Sequence, residues 1–189
     1  MKTTAISLLL FACCLALGAR ADARITEKLI VTTNTPIEIP GGIALPAGTY
    51  VFKLLDLTTG HNIVQIFNED ETQLFNTVIG IPDYMEKPPE NAMISLYETE
   101  PGNPPALHAL YFPGDNVGIE FVYPKERART LATQSGKNVM AAPTATPKNP
   151  TAQPTSAELT EMQGQVVMAI SPDGKSLSIV EARRAGEDK

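Results

Sequence analysis

The chain has 189 residues, a net charge of −6 and no basic run, so phosphate backbones repel it and nucleic-acid binding is excluded. It has no tryptophan, and its 16 prolines oppose long helices and suit loops and strand ends. Both cysteines, Cys13 and Cys14, fall in the first 23 residues.

Residues 1–23 read as a cleaved secretory signal peptide. Lys2 supplies the positive start, and an apolar stretch runs from Ala5 to Leu17, broken only by Ser7. That run is about 13 residues, short of the roughly 20 that cross a bilayer. Ala21-Asp22-Ala23 fits the small-x-small pattern before a cleavage site, with Ala19-Arg20-Ala21 as the alternative. Leu10-Phe11-Ala12-Cys13 has the outline of a lipobox, but Phe11 is bulky for it and the apolar run continues past Cys13. Only lipidation at Cys13 would give a membrane anchor. Cleavage after Ala23 removes two basic residues and one acidic one, taking the net charge from −6 to −7. The remaining 166 residues then hold no thiol, and packing alone must stabilise them.

Residues 24–134 read as an all-β domain. Alternation of apolar and other residues marks strands over Ile25–Thr33, Pro36–Ile39, Tyr50–Leu55 and Ile63–Phe67. Further runs follow around Phe75–Ile81, Met93–Tyr97, Leu107–Phe112 and Ile119–Tyr123. Turn signals separate them, among them Pro40-Gly41-Gly42, Pro46-Ala47-Gly48, Asn68–Glu71 and Pro113-Gly114-Asp115-Asn116. About seven or eight short strands with no helix between them predict an antiparallel β-sandwich, Ig-like or jelly-roll-like. Several strands are apolar on both faces, which favours a sandwich over a small barrel. One short helix is expected after the last core strand, from Pro124 to about residue 134, with Ala128, Leu131 and Ala132 on its inner side.

Residues 135–156 read as a disordered linker. Twelve of the sixteen residues from Ala141 to Ser156 are Ala, Pro or Thr, which offer little to bury. Residues 157–189 read as a short tail. It holds one possible helical turn over 157–163 and a hairpin of Gln165–Ile170 with Lys175–Val180 around Ser171-Pro172-Asp173-Gly174, which either docks on the main sheet or stays loose, since an isolated hairpin is marginal in water. On this reading, removal of 141–189 leaves the domain's stability unchanged.

Several segments occur in a recognisable order: Leu45-Pro-Ala-Gly-Thr-Tyr50, Asn62-Ile-Val-Gln-Ile-Phe-Asn68, Ile81-Pro-Asp-Tyr84, Tyr111-Phe-Pro-Gly-Asp-Asn116 and Glu120-Phe-Val-Tyr-Pro-Lys125. This order resembles a group of small exported bacterial proteins of uncharacterised function, over about residues 25–130. The resemblance implies export and a β-rich domain, and brings no activity with it.

No catalytic, cofactor or metal motif stands out. His61 and His108 are 47 residues apart without ligand spacing, and His108 alternates onto the face of Leu110 and Phe112. There is no Gly-x-Ser-x-Gly, and Ser95 lies inside a strand pattern. Carboxylates are plentiful (Glu69, Asp70, Glu71, Asp83, Glu98, Glu120), but the Asn68–Glu71 cluster lacks the alternating order of a calcium loop. Lys125, Arg127 and Arg129, with Arg183 and Arg184, form the basic clusters and read as solvated surface. No site residue and no cofactor is assigned. The expectation is an exported protein, periplasmic or extracellular, serving as a non-enzymatic binding or structural module of the cell envelope. Its partner would be a protein or an envelope polymer. The alternatives are a small hydrolase or lyase acting on envelope polysaccharide, and a carbohydrate-binding module in which Tyr84 stacks on a sugar ring.

Overall fold

The computed structural model of the protein describes residues 24–56 and 61–187. The expected signal peptide and Cys13 lie outside the described residues.

Strands dominate. They are β1 (Arg24–Thr33), β2 (Ile37–Ile39), β3 (Ile43–Leu45), β4 (Gly48–Asp56), β5 (Asn62–Asn68), β6 (Leu74–Tyr84), β7 (Met93–Tyr97), β8 (Ala106–Tyr111), β9 (Val117–Phe121) and β10 (Tyr123–Pro124). After them come α1 (Lys125–Ser135), β11 (Val139–Ala142), α2 (Ser156–Gln163), β12 (Met168–Ile170), β13 (Ser176–Leu177) and α3 (Ile179–Glu187). The first nine strands form one sheet in the order β1-β4-β5-β6-β9-β8-β2-β3, with β7 also on β8. A second sheet runs β10-β11-β12-β13. The all-β class and the layered sandwich arrangement are as expected. The pairing is mixed, because β2 lies parallel to β8 and β10 parallel to β11.

Turn chemistry acts where the sequence places it. Gly114 takes a φ of 77° and Asp115 N–H donates to the Phe112 carbonyl at 3.2 Å, closing the turn at Pro113-Gly114. The Tyr50 hydroxyl reaches back to the Pro46 carbonyl at 2.6 Å and fixes the entry to β4. In the Asn68–Glu71 loop the Asn68 side chain accepts from Gln73 N–H, while Glu71 pairs with Lys28 and Lys53. That carboxylate serves β1 and β4.

The main sheet is buried on both faces. One face carries Phe52, Val64, Ile66, Val78, Ile119 and Phe121, which pack with α1 and with Val139 and Ala141 of β11. The other carries Leu55, Ile63, Ile79, Ile81 and Val122, covered by Met140, Ala142, Ala145, Leu159, Met162, Ala169 and Ala182. Val122 marks the crossing between sheets: its N–H donates to the Ile79 carbonyl, and the next residue starts β10.

This arrangement corrects the expected linker and tail. Residues 139–142 are a strand, and Ala141, Ala142 and Ala145 are at most 1% exposed. Ile79 N–H donates to the Ala145 carbonyl at 3.2 Å, so the Pro-rich segment lies directly against β6. Small side chains let its backbone approach the sheet closely, which large apolar residues would prevent. The tail hairpin, open from sequence between docking on the main sheet and staying loose, docks and continues the cover. It is shorter than expected, pairing only Met168–Ile170 with Ser176–Leu177, and Val180 belongs to α3. Among the described residues three helices form: α1 where a helix was expected, α2 where a single helical turn over 157–163 was expected, and α3, which was not anticipated. The two later ones start at Ser/Thr-x-x-Glu boxes: Thr155 with Glu158, and Ser178 with Glu181.

Arg127 is likewise not a solvated charge. Its Nε donates to Glu38 Oε1 at 2.7 Å and a second guanidinium nitrogen reaches Oε2, tying α1 to β2 through a buried carboxylate. Arg129 pairs with Glu126 on the helix surface. Tyr123, fully buried and within the field of the Arg127–Glu38 pair, donates to the Leu107 carbonyl at 2.7 Å. Burial, followed by the Glu38 charge, pushes its phenol well above the ordinary value of 10.

Truncation after Asn138 uncovers Leu55, Ile63, Ile79 and Ile81, each worth about 2 kcal/mol of burial. Their sum rivals the whole stability of a domain, roughly 5–15 kcal/mol. A chain ending at Asn138 is therefore expected to lose its cooperative thermal transition, read by near-UV circular dichroism. Tyr123 gives a second expectation. Because its folded value is raised, its contribution to stability is complete below pH 10 and falls away as pH rises beyond that. Alkaline titration followed by phenolate absorbance should show the Tyr123 signal appearing only with unfolding, and Tyr123→Phe should remove it.

Candidate functional site

Strands β6, β9 and β8 lie side by side, and the register decides what meets on their shared face. Asp83 opposes Gly118, Ile81 opposes Glu120, and Gly118 in turn opposes Tyr111. Asp83, Glu120 and Tyr111 therefore project to one side. Gly118 is needed between them: a Cβ there would lie 2.2 Å from Tyr111 Cδ1 and 2.6 Å from the Leu110 carbonyl. Its bare backbone lets the Tyr111 ring pass across β9 and donate to Asp83 Oδ2.

His108 joins the group through a bulge. Ser95 opposes Ala109 and Leu96 opposes Leu107, so His108 is the extra residue and leaves the alternation. Its ring turns away from the face predicted for it and approaches Glu120, with Nε2 at 3.4 Å from Oε1. The other ring nitrogen, Nδ1, is 3.0 Å from Ser95 Oγ, and the ring packs on Tyr97 with centroids 4.4 Å apart. Tyr97 donates to Glu120 Oε1 at 3.3 Å. Burial and the Glu120 charge drive the Tyr97 phenol well up, and burial with the Asp83 contact does the same for Tyr111. Both hydroxyls stay protonated and act as donors to the carboxylates.

The C-terminal cover completes the site. Arg183 of α3 donates to Asp83 Oδ1 at 3.2 Å, also reaches the Pro82 carbonyl, and lies 3.7 Å from Glu120 Oε2. Its guanidinium sits 5.9 Å from the centre of the Tyr84 ring, which is 65% exposed. Asn138 Nδ2 donates to the Ala182 carbonyl at 3.0 Å and fixes α3 beside the start of β11. Between these elements opens a cavity of about 610 Å³, reaching from Asp83, His108 and Glu120 to Lys137, Asn138 and Pro172. That volume lies in the range of small-molecule sites.

Of the residues singled out from sequence, the fold gathers Asp83, His108, Glu120, Ser95, Tyr84 and Arg183 around this cleft. It leaves the others out. His61 is half-buried and bonded to the Gln165 carbonyl at 2.6 Å, while Glu69, Asp70, Glu98 and Arg184 are exposed elsewhere. Tyr97, Tyr111 and Asn138 are the additions that sequence reasoning passed over. The signal for Tyr111 was present in Gly118, a glycine inside a strand pattern, which marks a close approach. Comparison with protein-family models, with curated proteins and with solved structures finds no match.

Gly118→Ala is expected to lower stability by about 2 kcal/mol, because it drives a methyl group into the Tyr111 ring. Tyr111→Phe, which loses the hydrogen bond without the clash, should cost about 1 kcal/mol. Urea denaturation midpoints of the two variants give the comparison.

Proposed function

We propose that the protein is an exported binding module of the cell envelope, and that the cleft beside His108, Glu120 and Asp83 holds a polar saccharide segment of an envelope polymer. The observation that carries this reading is the exposed Tyr84 ring beside Arg183, a residue that lines the cleft. Arg183 in turn bonds Asp83 and the Pro82 carbonyl. An exposed aromatic face beside planar charged groups suits a sugar ring, which stacks its C–H face and hydrogen-bonds at its edge. Lys137 and Asn138 extend the polar lining further in. Export rests on the reading of residues 1–23.

A second reading is favoured by one specific observation. His108 Nε2 and Glu120 Oε1 lie 3.4 Å apart beside a second carboxylate, as an acid–base pair would. On that reading the same cleft cleaves the polymer that it binds.

A glycan array paired with capture from envelope extract separates these readings. The expected result is retention of a defined glycan, weakened about tenfold or more in Tyr84→Ala and in Arg183→Ala, with the glycan recovered intact. Retention unchanged in both variants overturns the cleft as the binding site. Release of new reducing ends by the parent protein, absent in Glu120→Gln, replaces binding with hydrolysis.

A further inference from the structure

The donor atoms of Asp83, His108 and Glu120 all lie within 4.8 Å of one another. We propose that these three side chains form a site for a divalent transition ion of the zinc class, with Arg183 as a cationic stopper that yields to the ion. The inference rests on the cleft being the protein's ligand site, and it adds a metal to that site.

The donor set suits such an ion. Imidazole nitrogen with carboxylate oxygen favours zinc and its neighbours over calcium or magnesium, which take oxygen alone. Zinc binds these donors at about 2.0–2.2 Å, so neighbouring ligands of a tetrahedral site stand about 3.4 Å apart. His108 Nε2 and Glu120 Oε1 already have that spacing, at 3.4 Å. The third ligand, Asp83, has a carboxylate oxygen within 4.8 Å of both. Three protein ligands on a cleft leave a fourth position for water or for an oxygen of a bound molecule.

Each of the three donors also has its own supporting hydroxyl. Ser95 holds His108 Nδ1 at 3.0 Å, Tyr97 holds Glu120 at 3.3 Å, and Tyr111 holds Asp83. Outer partners of this kind fix the tautomer and orientation of metal ligands. With Nδ1–H donated to the Ser95 oxygen, Nε2 presents its lone pair towards Glu120. A cation between the two would turn that facing of lone pair and carboxylate into attraction. The three donors come from adjacent strands of one sheet, which holds them more rigidly than loops would.

Arg183 defines the competing state. Its guanidinium supplies positive charge to Asp83 and, at longer range, to Glu120. It comes from α3, a short helix of the C-terminal cover, and its other contacts are a backbone carbonyl and an exposed ring. A metal ion would take over its role at the carboxylates, leaving Arg183 free to meet an anionic or hydroxyl group of the incoming ligand.

The test is titration of chelator-treated protein with Co2+, read by visible d–d absorption, and with Zn2+, read by calorimetry. The expected result is one ion per chain, with Co2+ absorption of four- or five-coordinate strength. Affinity should fall at least 100-fold in His108→Ala and Glu120→Gln, and about tenfold in Ser95→Ala. It should rise several-fold in Arg183→Ala, where the cation that competes for Asp83 and Glu120 is gone, measured on protein whose thermal transition is recorded alongside. No uptake by either the parent protein or Arg183→Ala overturns the proposal, as does uptake that His108→Ala leaves unchanged. Glycan retention measured on the same chelator-treated protein keeps the two readings apart. Retention without metal uptake rejects the metal site and preserves the cleft, whereas metal uptake without any retention rejects the saccharide reading alone.

Discussion

Strands β4, β5 and β6 carry apolar side chains on both faces, so the sheet must be covered twice. Val64, Ile66 and Val78 point one way, and Ile63, Ile79 and Ile81 the other. Leaving either set in water would forfeit roughly 1.5–3 kcal/mol per side chain, against a net stability of only about 5–15 kcal/mol. Every later element follows from this constraint. Helix α1 and one side of β11 close the first face. The other side of β11, the segment at Ala145, α2, β12 and α3 close the second.

The site is a consequence of where the second cover stops. Over Ile63, Ile79 and Ile81 it is apolar, and Gln65 of β5 bonds Gln153 of the cover at 2.7 Å. Beyond Ile81 the same face turns polar, with Asp83, Glu120 and the displaced His108, and here the cover provides Asn138 and Arg183. Two carboxylates on one face would repel each other, and burial would strengthen that repulsion. The arrangement is stable because phenol hydroxyls and one guanidinium supply donors and charge. Charge balance and cleft formation thus depend on the same C-terminal helix.

The Ala/Pro/Thr-rich segment shows how composition can mislead. It has few large apolar residues, and by transfer energetics alone it has little reason to order. Yet Ala141, Ala142 and Ala145 are buried because their small size lets backbone meet backbone, through a parallel pair with β10 and the bond from Ile79 to Ala145. Hydrogen bonds and close packing replace side-chain bulk. The clue lay elsewhere in the chain, in strands apolar on both faces that had no second cover assigned. The Thr155/Glu158 and Ser178/Glu181 boxes were further local marks of order in the tail.

What the sequence by itself determined is local and periodic. Period-two patterning located the strands, Pro-Gly turns such as Pro113-Gly114 located their ends, and the apolar side of α1 was legible in Ala128, Leu131 and Ala132. These follow from neighbours in the chain, where spacing alone decides which side chains share a face. The cleft belongs to tertiary structure. His108 faces Glu120 because a bulge between β7 and β8 breaks its alternation, Tyr111 reaches Asp83 because Gly118 leaves room across a third strand, and Arg183 arrives from a helix 100 residues along the chain from Asp83. Strand order, register and bulges are set by pairing between distant segments, and no period within one segment encodes them.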